Sequence, residues 1–136
     1  MKRVISRYPN DVKDWWRQTL DDIKWAEHDL GGGFYTQVCF ISQQIAEKAL
    51  KTFLLANNIV VEKGHKLPLF LRQAGAIDEE FIKFKNHAKK LDRYYFGTRY
   101  PPSLGPEGGY TEKEAVEALS LAKELVEFVS KRVINK

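Results

Sequence analysis

From Phe34 to Asn57 the chain runs through 24 residues without a glycine or a proline. Placed at about 100° per residue, Val38, Ile41, Ile45, Ala46, Ala49, Leu50, Phe53 and Ala56 fill roughly half the circumference of a helix. Gln43, Gln44, Glu47, Lys48 and Lys51 share the other side. So broad an apolar arc exceeds what one neighbour can cover. The segment is therefore expected to be the central helix of a bundle, touching two or more others, with surface left for a further chain.

The helical period recurs on both sides of this segment. Upstream, Asn10 is the expected N-cap, and Trp16, Leu20, Ile23, Ala26 and Leu30 form an inward stripe that Gly31-Gly32-Gly33 interrupts. The triple glycine lacks the Gly-Lys-Ser/Thr and the preceding strand of a phosphate loop, so it reads as a helix stop. Downstream, a polar connection from Asn57 to Lys66 leads to Leu67-Pro68-Leu69-Phe70-Leu71, a short helix expected to end at Gly75. Asp78 then opens another helix, with Phe81, Phe84, Ala88, Leu91 and Tyr95 on one stripe and Lys83, Lys85, Lys89 and Lys90 mostly off it. Four glycines and three prolines between Gly97 and Gly109 require a long surface loop. Thr111 to Glu114 is a capping box, and Ala115, Leu119, Ala122, Leu125, Val129 and Val133 continue the final stripe. No segment alternates with the period of a strand. These elements predict one all-α domain over residues 1–136, an antiparallel up-and-down four-helix bundle with a short accessory helix.

Hydrophobic residues make up 43% of the chain and aromatics 12%, enough to bury a continuous core, which excludes general disorder. The single Cys39, inside Val38-Cys39-Phe40-Ile41, has no internal partner for a disulfide and reads as a small buried hydrophobe in a reducing compartment. The basic N-terminus has no apolar stretch behind it, so no secretory signal is expected. No apolar run approaches the roughly 20 residues that span a bilayer. A protein of the cytoplasm, without membrane contact, is the expectation.

The net charge of +4 is concentrated in one place. Residues 1–80 balance 11 basic against 11 acidic side chains, whereas residues 81–100 carry six basic and one acidic. The same 20 residues hold six of the 17 aromatics. Such a segment can attract phosphates and stack bases. Phe81 and Phe84 belong to the core stripe, which leaves Tyr94 and Tyr100 as exposed stackers.

His28, His65 and His87 lie on separate elements, and no Glu-x-x-His pair exists to build a di-iron site, so neither a metal nor any other cofactor is expected. No nucleophile motif is visible, and no catalytic residue is assigned. Two polar constellations remain. One is the strip Gln43, Gln44, Glu47, Lys48 and Lys51, in which Glu47 and Lys51 have the i,i+4 order that supports a helix. Physical chemistry alone favours a solvated face for it. The other is Asp92-Arg93-Tyr94-Tyr95-Phe96-Gly97-Thr98-Arg99-Tyr100-Pro101, which suits phosphate and base contact or, equally, a salt bridge with aromatic packing at the bundle end.

These stretches resemble the HEPN family, the higher-eukaryote and prokaryote nucleotide-binding domain. Gln43-Gln44-Ile45-Ala46-Glu47-Lys48-Ala49-Leu50-Lys51 is similar to the family's Gln-Gln-Ala-x-Glu-Lys-Ala-Leu-Lys signature. His65-Lys66-Leu67, then Asp92, Tyr95 and Arg99-Tyr100-Pro101, and finally Tyr110-Thr111 through Ala115 follow in the family's order. The resemblance implies a helical homodimer that works beside a minimal nucleotidyltransferase in a two-component pair, often a toxin–antitoxin system. It makes Lys48, Arg93, Arg99 and Tyr100 candidates for nucleotide or RNA contact, with Gln44, Glu47, His65, Asp92 and Tyr94 supporting them. Many relatives are metal-independent ribonucleases with an arginine followed roughly four to six residues later by a histidine. Neither Arg93 nor Arg99 has such a histidine, so binding is expected rather than cleavage. The alternatives are a ribonuclease in which Tyr100 or His65 replaces the histidine, and a module that binds only protein.

Overall fold

A computed structural model describes residues 10–61, 64, 66–95 and 108–133. Helix α1 spans Asn10–Gly31, α2 Tyr35–Ala56, α3 Leu67–Ile77, α4 Lys85–Asp92 and α5 Glu112–Val133, with a 3₁₀ segment at Glu79–Phe84. No strand occurs among the described residues. The architecture is the all-α bundle expected from the sequence. Its centre is α2, which packs most extensively on α1 and α5, while α3, the 3₁₀ segment and α4 close the remaining side.

Local chemistry sets the boundaries. Helix α1 ends in a Schellman turn: Gly33 takes φ +83°, its N–H reaches Leu30 O at 3.2 Å, and Phe34 N–H reaches Asp29 O at 2.9 Å. The glycine triplet is a helix stop, as its context indicated. Helix α2 ends the same way with Asn58 in the left-handed region, φ 63°, a conformation asparagine tolerates better than most residues. At α5 the capping box closes in both directions, with Glu114 N–H on Thr111 Oγ1 at 3.2 Å and Thr111 N–H on Glu114 Oε1 at 2.9 Å.

Three expectations need correction. Helix α3 runs through Gly75 to Ile77. A Cβ at Gly75 would meet Ile82 at 3.4 Å, an ordinary van der Waals distance. Asp78 does act as a cap, accepting from Glu80 N–H at 3.0 Å, but the turn it starts is 3₁₀ before it becomes α4. The i,i+3 spacing of Phe81 and Phe84 matches the three-residue 3₁₀ period, so both rings point inward. Phe81 packs 4.5 Å from Phe53 and 4.8 Å from Phe128, and Phe84 lies 4.8 Å from Phe128. Leu20 leaves the inward stripe of α1 and is 42% exposed, because that stripe is centred on Val12, Trp16, Thr19 and Ala26. Every named residue of the α5 stripe is buried.

Candidate functional site

The polar strip of α2 is not a solvated face. Gln43, Glu47 and Lys51 are buried at 0%, 3% and 8% exposure, and Gln44 and Lys48 are half-buried. Lys51 Nζ lies 2.8 Å from Glu47 Oε2, donates to Gly64 O at 3.3 Å, and stands 5.3 Å from the Trp15 ring and 5.1 Å from the Phe70 ring. Trp15 comes from α1 and Phe70 from α3, so the ammonium sits where three helices meet. Gln43 Nε2 donates to Glu47 Oε1 at 3.4 Å, and Gln44 Nε2 donates to Gln43 Oε1. A row of side chains one turn apart thus forms a connected network below the surface.

Lys48, one step round the helix, is also engaged. Its Nζ lies 2.6 Å from Asp22 Oδ2, and both side chains keep little exposure, 16% and 11%. The pair ties α1 to α2 across 26 residues of sequence. Asp92 has a comparable long-range duty: its Oδ1 accepts the Leu67 N–H at 3.0 Å, capping α3, whose own preceding residue Lys66 offers no side-chain cap.

The second constellation gathers at the other end of α2. Arg93 is exposed just past α4, with its guanidinium carbon 5.0 Å from the centre of the Tyr94 ring and Nη2 donating to Tyr94 Oη at 3.0 Å. Tyr94 is 1% exposed and meets Tyr110 edge to face at 4.9 Å. The expectation that Tyr94 is an exposed stacker is therefore corrected, since its ring is the floor on which Arg93 rests. Half-buried Tyr95 approaches Phe40 of α2 at 6.3 Å.

Charge and burial set the proton affinities of this corner. Burial, reinforced by Glu114, pushes the Cys39 thiol up to about 12. Burial likewise raises the Tyr94 and Tyr110 hydroxyls above their ordinary values. The hydrogen bond to Tyr94 strengthens the hold of Arg93 on its proton, and Glu114 adds to this. The corner therefore presents a permanent cation beside neutral hydroxyls and a neutral thiol, with the Glu114 carboxylate within its electrostatic reach.

Cys39 and Lys48 are nine residues apart, about 14 Å along the axis of α2. The two constellations do not converge: the neighbours of Arg93 are Cys39, Tyr94, Tyr110 and Glu114. His65, Arg99 and Tyr100 lie outside the described residues. Sequence reasoning missed Trp15, Asp22 and Phe70, partners from distant segments that no local spacing announces. Among the described residues no three His, Cys, Asp or Glu side chains gather as metal ligands, and no helix is long and apolar enough to cross a membrane.

A family model described as the HEPN domain matches residues 12–133. The chain belongs to the HEPN family. Solved structures are similar over nearly the whole chain. A protein from Thermus thermophilus is 36% identical, with a TM-score of 0.78 over 92% of this chain and 100% of that one. A structure described as an archaeal HEPN homologue is 32% identical, with a TM-score of 0.71 over 96% and 97%. A HEPN domain protein from Thermotoga maritima is 30% identical, also with a TM-score of 0.71, over 87% and 95%. No curated protein matches the chain. HEPN membership relates the chain to nucleotide and RNA biology in general terms.

Proposed function

We propose that this HEPN protein binds a nucleotide or short RNA as a cytoplasmic homodimer, beside a minimal nucleotidyltransferase in a two-component, toxin–antitoxin-like pair. The Arg93 corner carries the reading. An exposed guanidinium is held over a buried ring, with one of its N–H donors committed to Tyr94 and no other committed among the described residues. A planar fork fixed in this way can meet a phosphate in two parallel hydrogen bonds while losing little side-chain freedom. Arg99 and Tyr100 follow a few residues along the chain, where Arg99 engages a second phosphate oxygen and Tyr100 covers a base.

Lys48 reaches a phosphate only by releasing Asp22, so it serves the site chiefly by holding α1 on α2. Gln44, Glu47 and Asp92 act at the same remove, through the α2 network and the α3 cap. His65 stands in the connection before α3 as an orienting group. Binding without cleavage follows from the missing histidine: neither arginine has an imidazole at the family's ribonuclease spacing to take the ribose 2′-hydroxyl proton. The partner follows from the family likeness, and an adjacent minimal nucleotidyltransferase gene would support it.

Titration of ATP and of a short RNA at two salt concentrations, with wild type, Arg93→Ala and Arg99→Ala, tests the proposal. Each arginine variant is expected to weaken binding about tenfold, and added salt weakens the wild type. Affinity indifferent to both changes overturns it. Metal-free RNA cleavage that Arg93→Ala abolishes identifies a ribonuclease instead. Tight partner binding with no nucleotide binding identifies a protein-interaction module.

A further inference from the structure

The cations around α4 divide by face. Toward α5, Lys90 Nζ lies 3.4 Å from Glu117 and His87 Nε2 2.8 Å from Glu124. Lys83 Nζ stands 4.6 Å above the Phe128 ring, and Arg132 over the same ring binds Asp78 and Glu80. On the side facing α3, Arg72 and Lys85 are exposed and have no acidic partner among the described residues. These two side chains border a groove of about 380 Å³. Its remaining walls are Pro68, Leu71, Ile82 and Ala88.

Helical spacing builds this groove. Pro68, Leu71 and Arg72 share one face of α3, and Lys85 and Ala88 share one face of α4. The 3₁₀ segment brings Ile82 against the same hairpin, next to Gly75. Ile82 remains 60% exposed although Leu71 beside it is only 6% exposed, so the apolar floor is left uncovered next to two unneutralised cations. Among the described residues the groove has no acidic lining, and Asp78 and Glu80 are turned to Arg132.

We propose that the α3–α4 groove binds a small amphipathic organic anion. Its apolar body lies on Leu71, Ile82, Ala88 and Pro68, and a carboxylate or phosphate-ester head meets Arg72 and Lys85. The volume is in the range of small-molecule sites, whose lining is mostly apolar with a few charged groups to fix orientation. From Pro68 to Arg72 the α3 wall extends about 6 Å along the helix, and Ile82, Lys85 and Ala88 complete the lining. The arrangement discriminates by charge: an amine is repelled by both side chains, and a neutral chain leaves them unused. The groove shares no residue with the Arg93 corner, so its failure and that of the nucleotide reading are separable.

Amide correlation spectra of the whole chain, titrated with decanoate, decyl phosphate, decanol and inorganic phosphate below any micelle concentration, test the assignment. Both amphipathic anions are expected to shift amides of residues 69–75 and 82–88. Decanol and inorganic phosphate are expected to bind at least about fivefold more weakly. A preference between the two anions identifies the head group. Arg72→Gln and Lys85→Gln each weaken anion binding about fivefold, and Ile82→Glu, at an exposed position that leaves the fold intact, removes it. Shifts confined to other segments, equal binding of decanol, or undiminished binding by Ile82→Glu overturn the proposal.

Discussion

Replacing Lys51 by methionine separates a buried network from a solvated strip. Methionine keeps an unbranched side chain that can lie between Trp15 and Phe70, so the substitution removes the ammonium and little of the packing. The Glu47 carboxylate, its side chain only 4% exposed, then loses its ammonium and keeps the Gln43 amide at 3.4 Å among its contacts. Removing one member of a buried ion pair costs about 3–5 kcal/mol, because the surviving charge has neither water nor its partner. Contact with Gln43 places the expected cost near the lower end, about 3 kcal/mol. For a domain of this size that is a fall in melting temperature of about 10 °C. If the strip were solvated, the i,i+4 pair would contribute only about 0.3–0.5 kcal/mol, and the fall would be about 2 °C.

Glu47→Gln combined with Lys51→Met makes the reasoning sharper. With both charges gone no buried carboxylate remains, and the double variant should recover most of the loss. Thermal unfolding followed by far-ultraviolet circular dichroism supplies all four corners of the cycle. A fall below about 2 °C for Lys51→Met, or a double variant as unstable as the sum of the singles, refutes the buried-pair account.

Asp78 gives a pH signature. Burial acts to raise its pKa, but the Arg132 guanidinium and the Glu80 N–H outweigh it and hold the carboxyl below its ordinary value. A depressed folded-state value stabilises the protein above the unfolded value of about 3.9, and that contribution is lost as pH falls through the folded value. Asp78→Asn should therefore lower stability at pH 7 and flatten its fall below about pH 4, as acid titration of the melting temperature reads. An unchanged acid limb counts against the assignment. At the entry to α5, Gly109 has φ +88°, and a Cβ there would collide with Thr36 Oγ1, the acceptor of the Tyr110 N–H. Gly109→Ala should cost about 2 kcal/mol or more, whereas Gly108→Ala, with φ +83° and open space around it, should cost about 1 kcal/mol, both measured by urea unfolding. Equal losses would mean that the Thr36 contact has no weight.

The parts of this fold that sequence revealed are those decided within one turn. The glycine stop after α1, the capping box of α5 and the inward rings of Phe81 and Phe84 depend on neighbours up to five residues away. The polar side of α2 was misread because its environment depends on α1 and α3. Trp15 and Phe70 cover Lys51, and Asp22 meets Lys48, from segments whose approach no spacing within α2 encodes. Tyr94 was misread for a similar reason: its ring is covered by Tyr110 and Arg93 across the bundle end.

These errors share a physical origin that redirects the search for a binding site. A helix enclosed on several sides has no freely solvated face, so each charge on it must be neutralised within the fold or by a ligand. On α2 the fold supplies both partners, Asp22 for Lys48 and Glu47 for Lys51. Toward α5, acids meet Lys90 and His87 in the same way. Of the basic residues that made 81–100 conspicuous, Lys90 alone meets an acid among the described residues, and Lys83 stands instead over the Phe128 ring. Two places where the described fold leaves cations outside any ion pair are the Arg93 corner, over its tyrosine, and the Arg72–Lys85 groove. One offers a fixed fork backed by an aromatic ring, which suits phosphate; the other offers two cations over an aliphatic floor, which suits an anion with an apolar body.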